Sequence, residues 1–158
     1  MPDDIQCKIQ VEDFDLSVEY QRLRTEYPDA GAITTFSGLV RELAEPGQVV
    51  QSLELQTYPA LASEQIKSLA AKAFSRFDLL GLTIIHRYGS LQPCEQIVFV
   101  GVASKHRRDS FAAAEMLMDH LKSCVAFWKR EQATDADCSK SQWIEVKQSD
   151  LDALKRWE

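Results

Sequence analysis

The stretch LTIIHRYGSLQPCEQIVFVGVA, residues 82–103, decides the fold. It contains two runs rich in β-branched residues, LTIIHRY (82–88) and IVFVGVA (97–103), with a turn around Pro93 between them. Apolar runs bounded by turn residues predict two strands of a hairpin. A second hairpin is predicted near the C-terminal end, and the two together favour an α+β fold over a doubly wound parallel sheet.

On the N-terminal side of this hairpin, apolar residues at helical spacing predict a helix over residues 60–77. Three further strands are predicted, at 5–11, 32–40 and 49–57. Asp15 or Ser17 is expected to cap a helix between the first two of these strands. The polar segment 42–48 contains a Pro-Gly pair, so we predict a mobile loop there.

On the C-terminal side, a long helix is expected to begin at Asp109 or Ser110 and to end near Cys124. The remaining elements are two strands at 127–132 and 143–146, a polar loop at 134–141 between them, and a terminal helix at 149–157. Together the elements predict one α+β domain over residues 1–158, with a mixed or antiparallel sheet.

The composition is that of one acidic domain. With 158 residues and 45% hydrophobic content, the chain can form a single core. Its net charge of −6 argues against a general nucleic-acid binder, which usually presents a basic surface. No apolar run approaches the roughly 20 residues that span a bilayer, and MPDDIQCKIQ lacks the character of a signal peptide. We therefore expect a cytoplasmic location.

The cysteines and histidines show no metal-binding pattern. The cysteines are Cys7, Cys94, Cys124 and Cys138, and the histidines are His86, His106 and His120. There is no CxxC pair and no matching histidine pair, so the spacing indicates neither a zinc site nor a redox motif. We expect reduced thiols, no metal and no cofactor. A nucleophilic Cys124 near the basic segment is the alternative.

Cations at the ends of predicted elements are the most informative residues. They are Arg41, His106, Arg107, Arg108, Lys122, Lys129 and Arg130. Since a helix N-terminus presents free N–H groups, the junction at 106–110 is a candidate seat for a phosphate or carboxylate. Taken singly, most of these cations are better explained as solvated charges. Lys129 differs because its apolar flanks favour desolvation, which would lower its pKa toward catalytic use.

Several motifs occur in a fixed order along the chain. They are GAITTFSGLVRE (31–42), LELQTYPALA (53–62), IHRYGSLQPCEQIVFVGVASKHR (85–107), MDHLKSCVAFWKRE (118–131) and WIE (143–145). In this order they resemble the molybdopterin synthase catalytic (large) subunit family over nearly the whole chain. HLK followed by WKRE is the most specific pair.

The resemblance implies an α/β hammerhead fold and an enzyme of molybdenum cofactor biosynthesis. Such a sulfurtransferase converts cyclic pyranopterin monophosphate (precursor Z) into molybdopterin. The sulfur comes in two transfers from the C-terminal Gly-Gly thiocarboxylate of a small ubiquitin-like carrier subunit. The resemblance also implies a homodimer with one carrier docked on each copy, a heterotetramer. No catalytic thiol is then required in this chain.

The resemblance also assigns site residues. Lys122 and Lys129 would be catalytic. The substrate-binding set would be Leu39, Val40, Arg41, His106, Arg107, Lys122, Lys129, Arg130 and Glu131. Within it, Arg41, His106 and Arg107 would anchor the substrate. We expect Lys129 to transfer a proton or stabilise the leaving oxygen, and Lys122 to steady the thiocarboxylate or an acyl intermediate.

Four positions depart from the family pattern. Gln56 stands where glutamate is common, Cys94 replaces a turn glycine, Ala126 replaces a proline, and Lys147 stands where arginine is frequent. None of them is a residue assigned to catalysis. Two other functions stay open: a non-catalytic module that binds the tail of a ubiquitin-like protein, and an unrelated enzyme acting on a phosphorylated metabolite.

Overall fold

The computed structural model describes residues 4–42, 49–134 and 139–158. The strands are β1 (Ile5–Gln10), β2 (Ala32–Leu39), β3 (Val49–Gln56), β4 (Leu79–Arg87), β5 (Gly89–Leu91), β6 (Gln96–Ser104), β7 (Trp128–Thr134) and β8 (Ser139–Ile144). The helices are α1 (Leu16–Glu26), α2 (Pro59–Arg76), α3 (Arg107–Ser123), α4 (Gln148–Leu154) and a short 3₁₀ helix, Lys155–Trp157. The predicted α+β class is confirmed. Most of the predicted loop 42–48 lies outside the described residues.

The stretch 82–103 supplies the two central strands of the first sheet, whose order is β1-β4-β6-β2. β4 and β6 pair antiparallel, with Ile84 opposite Val100 and Ile85 opposite Phe99. Both strands are almost wholly buried because each face of the sheet is covered. Ile84 and Val100 belong to the core that α2 and α3 complete, whereas Ile85 and Phe99 pack with residues of α1.

The second sheet has the order β5-β3-β7-β8, with antiparallel pairing throughout. Leu53, Leu55 and Leu91 form its buried cluster, together with Val40 from the end of β2. The separate strand β5 is absent from the sequence prediction. It arises because Gly89, with φ of 97°, turns the chain out of β4 and into the second sheet.

Three predicted boundaries are wrong. β4 begins at Leu79 rather than at residue 82. α3 begins at Arg107 rather than at Asp109 or Ser110, because His106 is its N-cap residue. Ser110 instead lies buried inside the helix, where its hydroxyl accepts a hydrogen bond from the Thr34 hydroxyl at 2.9 Å. β8 begins at Ser139, within the predicted loop 134–141, because it completes a ladder with β7. None of the helices in the described part of the chain is long and apolar enough to cross a bilayer.

Residues 156 and 157 form side-chain hydrogen bonds with α3. The indole N–H of Trp157 donates to Asp119 of α3 at 2.7 Å, and the Arg156 guanidinium donates to Glu115 at 2.7 Å. The Trp157 ring also meets Phe77 edge to face, with ring centroids 6.5 Å apart. These contacts hold α4 beside the last turns of α3, where Lys122 is located.

Candidate functional site

A cavity of about 730 Å³ lies between the two sheets. It is lined by the end of β2, the last turns of α3, β7, and the segment that leads into α4. Of the residues assigned from the sequence, it brings together Leu39, Val40, Arg41, Lys122, Lys129 and Glu131. One cavity therefore contains both lysines assigned to catalysis and one of the assigned anchoring residues.

Lys129 enters the cavity from β7. Desolvation by burial lowers the pKa of its ammonium group, and the nearby positive charge of Lys122 lowers it further. The Asp150 carboxylate opposes both effects by raising that pKa. A lysine whose pKa is lowered exchanges a proton more readily near neutral pH, so Lys129 has the character that general acid–base catalysis needs.

Lys122 enters the same cavity from the last turn of α3. Its side chain is 51% exposed, and its Nζ lies 4.0 Å from Oδ1 of Asp150. The connector between α3 and β7 is held by two hydrogen bonds. The Ala126 N–H donates to Oε1 of Gln65 at 3.0 Å, and the Thr57 hydroxyl donates to the Ala126 carbonyl at 2.7 Å. These bonds hold Ala126, which lies between Lys122 and Lys129 in the chain, against Gln65 of α2 and against Thr57.

Arg130 is placed away from the cavity. Successive side chains of a strand point to opposite faces, so Lys129 and Glu131 share the cavity face of β7 while Arg130 points outward. Its Nε donates to Oε2 of Glu54 at 2.9 Å, and its guanidinium lies 5.5 Å from the Trp143 ring centroid. Two hydrogen bonds lower the pKa of the Glu54 carboxyl group. The one from the Gln56 amide has the larger effect, and the one from Arg130 has the smaller.

His106 and Arg107 are also not among the described residues that line the cavity. They are exposed at the N-terminal end of α3, whereas Lys122 is in its last turn. At about 1.5 Å of rise per residue, Arg107 and Lys122 are separated by roughly 22 Å along the helix axis. A single copy of the chain therefore does not bring these two groups of cations together.

His86 is a cavity residue that the sequence reasoning considered only as a possible metal ligand. It is 5% exposed, lies on β4 and stacks on Phe127 with ring centroids 3.7 Å apart. Its Nδ1 is 2.8 Å from the Arg87 carbonyl, which can only accept, so Nδ1 carries the proton and Nε2 is an acceptor. The period of β4 could have identified it, since His86 shares the face of Ile84 toward α3.

His86 should make the stability of the protein depend on pH. Burial lowers the pKa of the ring from 6.5 to about 4, with Lys129 contributing, although the bond to the Arg87 carbonyl opposes the change. The unfolded chain takes up the proton first as the pH falls, so this group should remove about 3 kcal/mol of unfolding free energy between pH 6.5 and 4. Urea unfolding at pH 7 and pH 4.5 measures the difference.

The matched variants for this prediction are His86→Phe, which keeps a stacking ring, and His106→Gln, which removes an exposed histidine. The pH dependence should weaken in the first and persist in the second. An equal pH dependence in wild type and His86→Phe would contradict the prediction.

Cys94 occupies a turn position where the backbone favours glycine. Its φ is 70°, and its N–H donates to the Val40 carbonyl at 2.8 Å, which ties the turn to the end of β2. Since a side chain in this conformation costs roughly 1 kcal/mol, Cys94→Gly should raise the free energy of unfolding by up to about 1 kcal/mol. Cys94→Ala keeps the Cβ and should give no such gain in the same denaturation assay. Equal stabilisation by both would contradict the strain argument.

The thiols and the possible metal ligands were the other candidates for chemistry. Burial raises the pKa of the Cys7 thiol to about 11, which makes it a poor nucleophile. Cys124 is exposed and is not among the residues that line the cavity. Cys138 lies outside the described residues. Within residues 4–42, 49–134 and 139–158, no group of three or more His, Cys, Asp or Glu residues could hold a metal ion.

Comparison with known proteins gives a consistent result. The family model described as MoaE protein matches residues 9–124. The molybdopterin synthase catalytic subunit of Mesorhizobium japonicum is 46% identical over 150 residues, which cover 95% of this chain and 91% of that protein. The solved structure of a molybdopterin biosynthesis MoaE protein from Burkholderia ambifaria superposes with a TM-score of 0.80 at 38% identity, covering 97% of each chain.

A more distant structure shares the fold. It is the protein–protein complex of subunits 1 and 2 of molybdopterin-converting factor from Helicobacter pylori, with a TM-score of 0.67 at 20% identity, covering 83% of this chain and 90% of that one. The family model matches residues 9–124, which contain the first three motifs quoted from the sequence, and the Mesorhizobium japonicum relative covers 95% of the chain. The chain therefore belongs to the MoaE family of molybdopterin synthase catalytic subunits.

Proposed function

We propose that this chain is the catalytic subunit of a molybdopterin synthase, a sulfurtransferase of molybdenum cofactor biosynthesis. It converts cyclic pyranopterin monophosphate into molybdopterin with sulfur from the thiocarboxylated C-terminus of a small carrier subunit. The observation that carries this proposal is the meeting of Arg41, Lys122 and Lys129 in one cavity of a chain that belongs to this family.

Charge explains why the reaction needs this cavity. A thiocarboxylate and a phosphorylated pterin are both anions, and their approach is unfavourable in water-poor surroundings. Fixed cations reduce the repulsion and stabilise the charge that develops in the transition state. We assign phosphate anchoring to Arg41 and stabilisation of the thiocarboxylate or acyl intermediate to Lys122.

Each transfer is a net exchange of sulfur for oxygen. On the pterin a C–O bond breaks as a bond forms between its carbon and the thiocarboxylate sulfur. Water then cleaves the resulting acyl intermediate: the carrier's C–S bond breaks, the sulfur stays on the pterin, and the water oxygen completes the carrier's carboxylate. A proton must move to the departing oxygen, and Lys129 is suited to donate it because its pKa is lowered. Two carriers are consumed for each dithiolene, since the product contains two new C–S bonds.

The assembly is part of the proposal. The Helicobacter pylori structure holds two subunits of molybdopterin-converting factor together, and we propose that this chain likewise binds a small carrier. His106 and Arg107 lie far from Lys122 within one chain, so they can contact the same substrate only from a second copy. We therefore propose a homodimer with shared sites and one carrier on each copy, acting in the cytoplasm, with residues 1–158 as one functional domain.

Reconstitution tests the proposed function. The purified chain is incubated with thiocarboxylated carrier and cyclic pyranopterin monophosphate, and dithiolene formation is measured. Product is expected only when all three are present. Carrier binding without product would favour a tail-binding module instead. Conversion of a phosphorylated metabolite without carrier would favour an unrelated enzyme.

A further inference from the structure

Asp150 is a cavity residue without an assigned role. It lies in the first turn of α4, is half-buried, and places Oδ1 4.0 Å from Nζ of Lys122. Its charge also raises the pKa of Lys129, which lines the same cavity from β7. One carboxylate therefore acts on both lysines of the site.

The segment that carries Asp150 is held by a backbone hydrogen bond and by contacts with α3. The Asp150 N–H donates to the Lys147 carbonyl at 3.0 Å, at the start of α4. The residues after α4 are fastened to α3 through Arg156 and Trp157, which both bind Asp119. Asp119 lies about one helical turn before Lys122 on α3. The same helix therefore carries Lys122 and anchors the segment that presents Asp150 to it.

Other charged or titratable groups also face the two lysines. They are Arg41 from the end of β2, His86 from β4, Glu131 from β7, and Glu145 and Lys147 from the segment before α4. Among the described carboxylates of the cavity, Asp150 is the one that forms an ion pair with either lysine. Without the Asp150 carboxylate, less negative charge would offset the positive charges of Lys122 and Lys129. His86 does not change this balance, because it is neutral near pH 7.

We infer that Asp150 is a positioning residue: it is the internal counter-ion that orients Lys122 and balances the lysine pair until an anionic substrate takes its place. The ion pair between Lys122 and Asp150 is partly exposed and long, at 4.0 Å, so it is weakly held: ion pairs at a protein surface contribute only about 0–1 kcal/mol. A thiocarboxylate can therefore displace the Asp150 carboxylate at little cost. This inference rests on the proposed function only for the identity of the incoming anion.

The pKa of Lys129 measures the effect of the Asp150 charge directly. Because the Asp150 carboxylate raises the pKa of Lys129, Asp150→Asn should lower that pKa further. The neutral amine reacts with acetic anhydride, so brief labelling at a series of pH values, followed by mass spectrometry, gives the midpoint for Lys129. We expect this midpoint to move to lower pH in Asp150→Asn. In turnover assays, the alkaline limb of the pH profile, along which Lys129 loses the proton that it donates, should move in the same direction.

Asp152→Asn is the matched control, because Asp152 lies on the same helix but pairs with Lys155 at 2.7 Å. It should leave the Lys129 midpoint unchanged, and Asp150→Glu should restore it by returning the charge. Circular dichroism confirms that each variant is folded. An unchanged midpoint in Asp150→Asn, or an equal shift in Asp152→Asn, would overturn the inference. Labelling needs no turnover, so failure of the proposed function would show separately, as absence of product from the wild-type chain.

Discussion

Lys129→Ala is expected to reduce dithiolene formation by roughly a thousandfold, since general acid–base catalysis typically contributes a factor of 10² to 10⁴. The side chain enters the cavity from β7, and burial together with Lys122 lowers its pKa. Alanine removes the only cation that β7 places on the cavity face among its described residues. Single-turnover product formation at saturating carrier measures the loss.

Two controls separate chemistry from folding in the Lys129 experiment. Lys129→Arg keeps the positive charge, but a guanidinium does not give up its proton, so this variant should be nearly as slow as alanine. Lys72→Ala changes an exposed lysine on α2 and should turn over like wild type. Wild-type turnover by Lys129→Ala, in a folded protein that still binds carrier, would rule out the assigned role.

Lys122→Ala is expected to reduce product formation by about a hundredfold, the range found when one preorganised charge is removed from a reaction centre. Lys122 stands at the last turn of α3 and faces Asp150 at the cavity. Because its role is to stabilise an anion, Lys122→Arg should retain more activity than alanine. At position 129, by contrast, arginine and alanine should be about equally slow, so the pair of arginine variants tests the division of roles.

Binding of the carrier is the control for the Lys122 experiment. The carrier should still associate with Lys122→Ala, because one lysine is a small part of a protein interface. Calorimetry with thiocarboxylated carrier measures that association independently of turnover. If arginine and alanine were equally active at position 122, charge stabilisation would be the wrong explanation.

Local sequence patterns predicted the core of the fold. The β-branched runs at 82–88 and 97–103 became β4 and β6, because such runs fit a sheet that is covered on both faces. Local sequence patterns did not predict the parts of the sheets that form only by pairing with another strand. β5 forms only because β3 is beside it, and β8 begins at Ser139 because β7 pairs with it.

The candidate site was predicted only in part, because some of its contacts also depend on residues that are distant in sequence. The resemblance located Lys122 and Lys129, but it also assigned Arg130 to the substrate-binding set. The alternation of β7 places it outside the cavity, with Glu54 and Trp143. Asp150 could not be identified from sequence, because its meeting with Lys122 depends on the anchoring of α4 to α3.

The departures from the family pattern also have structural explanations. Ala126 donates its N–H to Gln65, a bond that a proline could not make. Gln56 binds Glu54 at 2.8 Å and so supports the outward pairing of Arg130. Lys147 lines the cavity and keeps a positive charge where arginine is frequent. None of these changes alters the cavity face of β7.

The fate of the carrier's sulfur tests the central claim most directly. Mass spectrometry of the carrier after incubation with this chain and cyclic pyranopterin monophosphate distinguishes a C-terminal thiocarboxylate from a carboxylate. We predict conversion to carboxylate only in the complete mixture, with two carriers converted for each dithiolene formed, and loss of conversion in the Lys122→Ala/Lys129→Ala double variant. A carrier that keeps its sulfur, or that loses it equally with the double variant, would contradict the account.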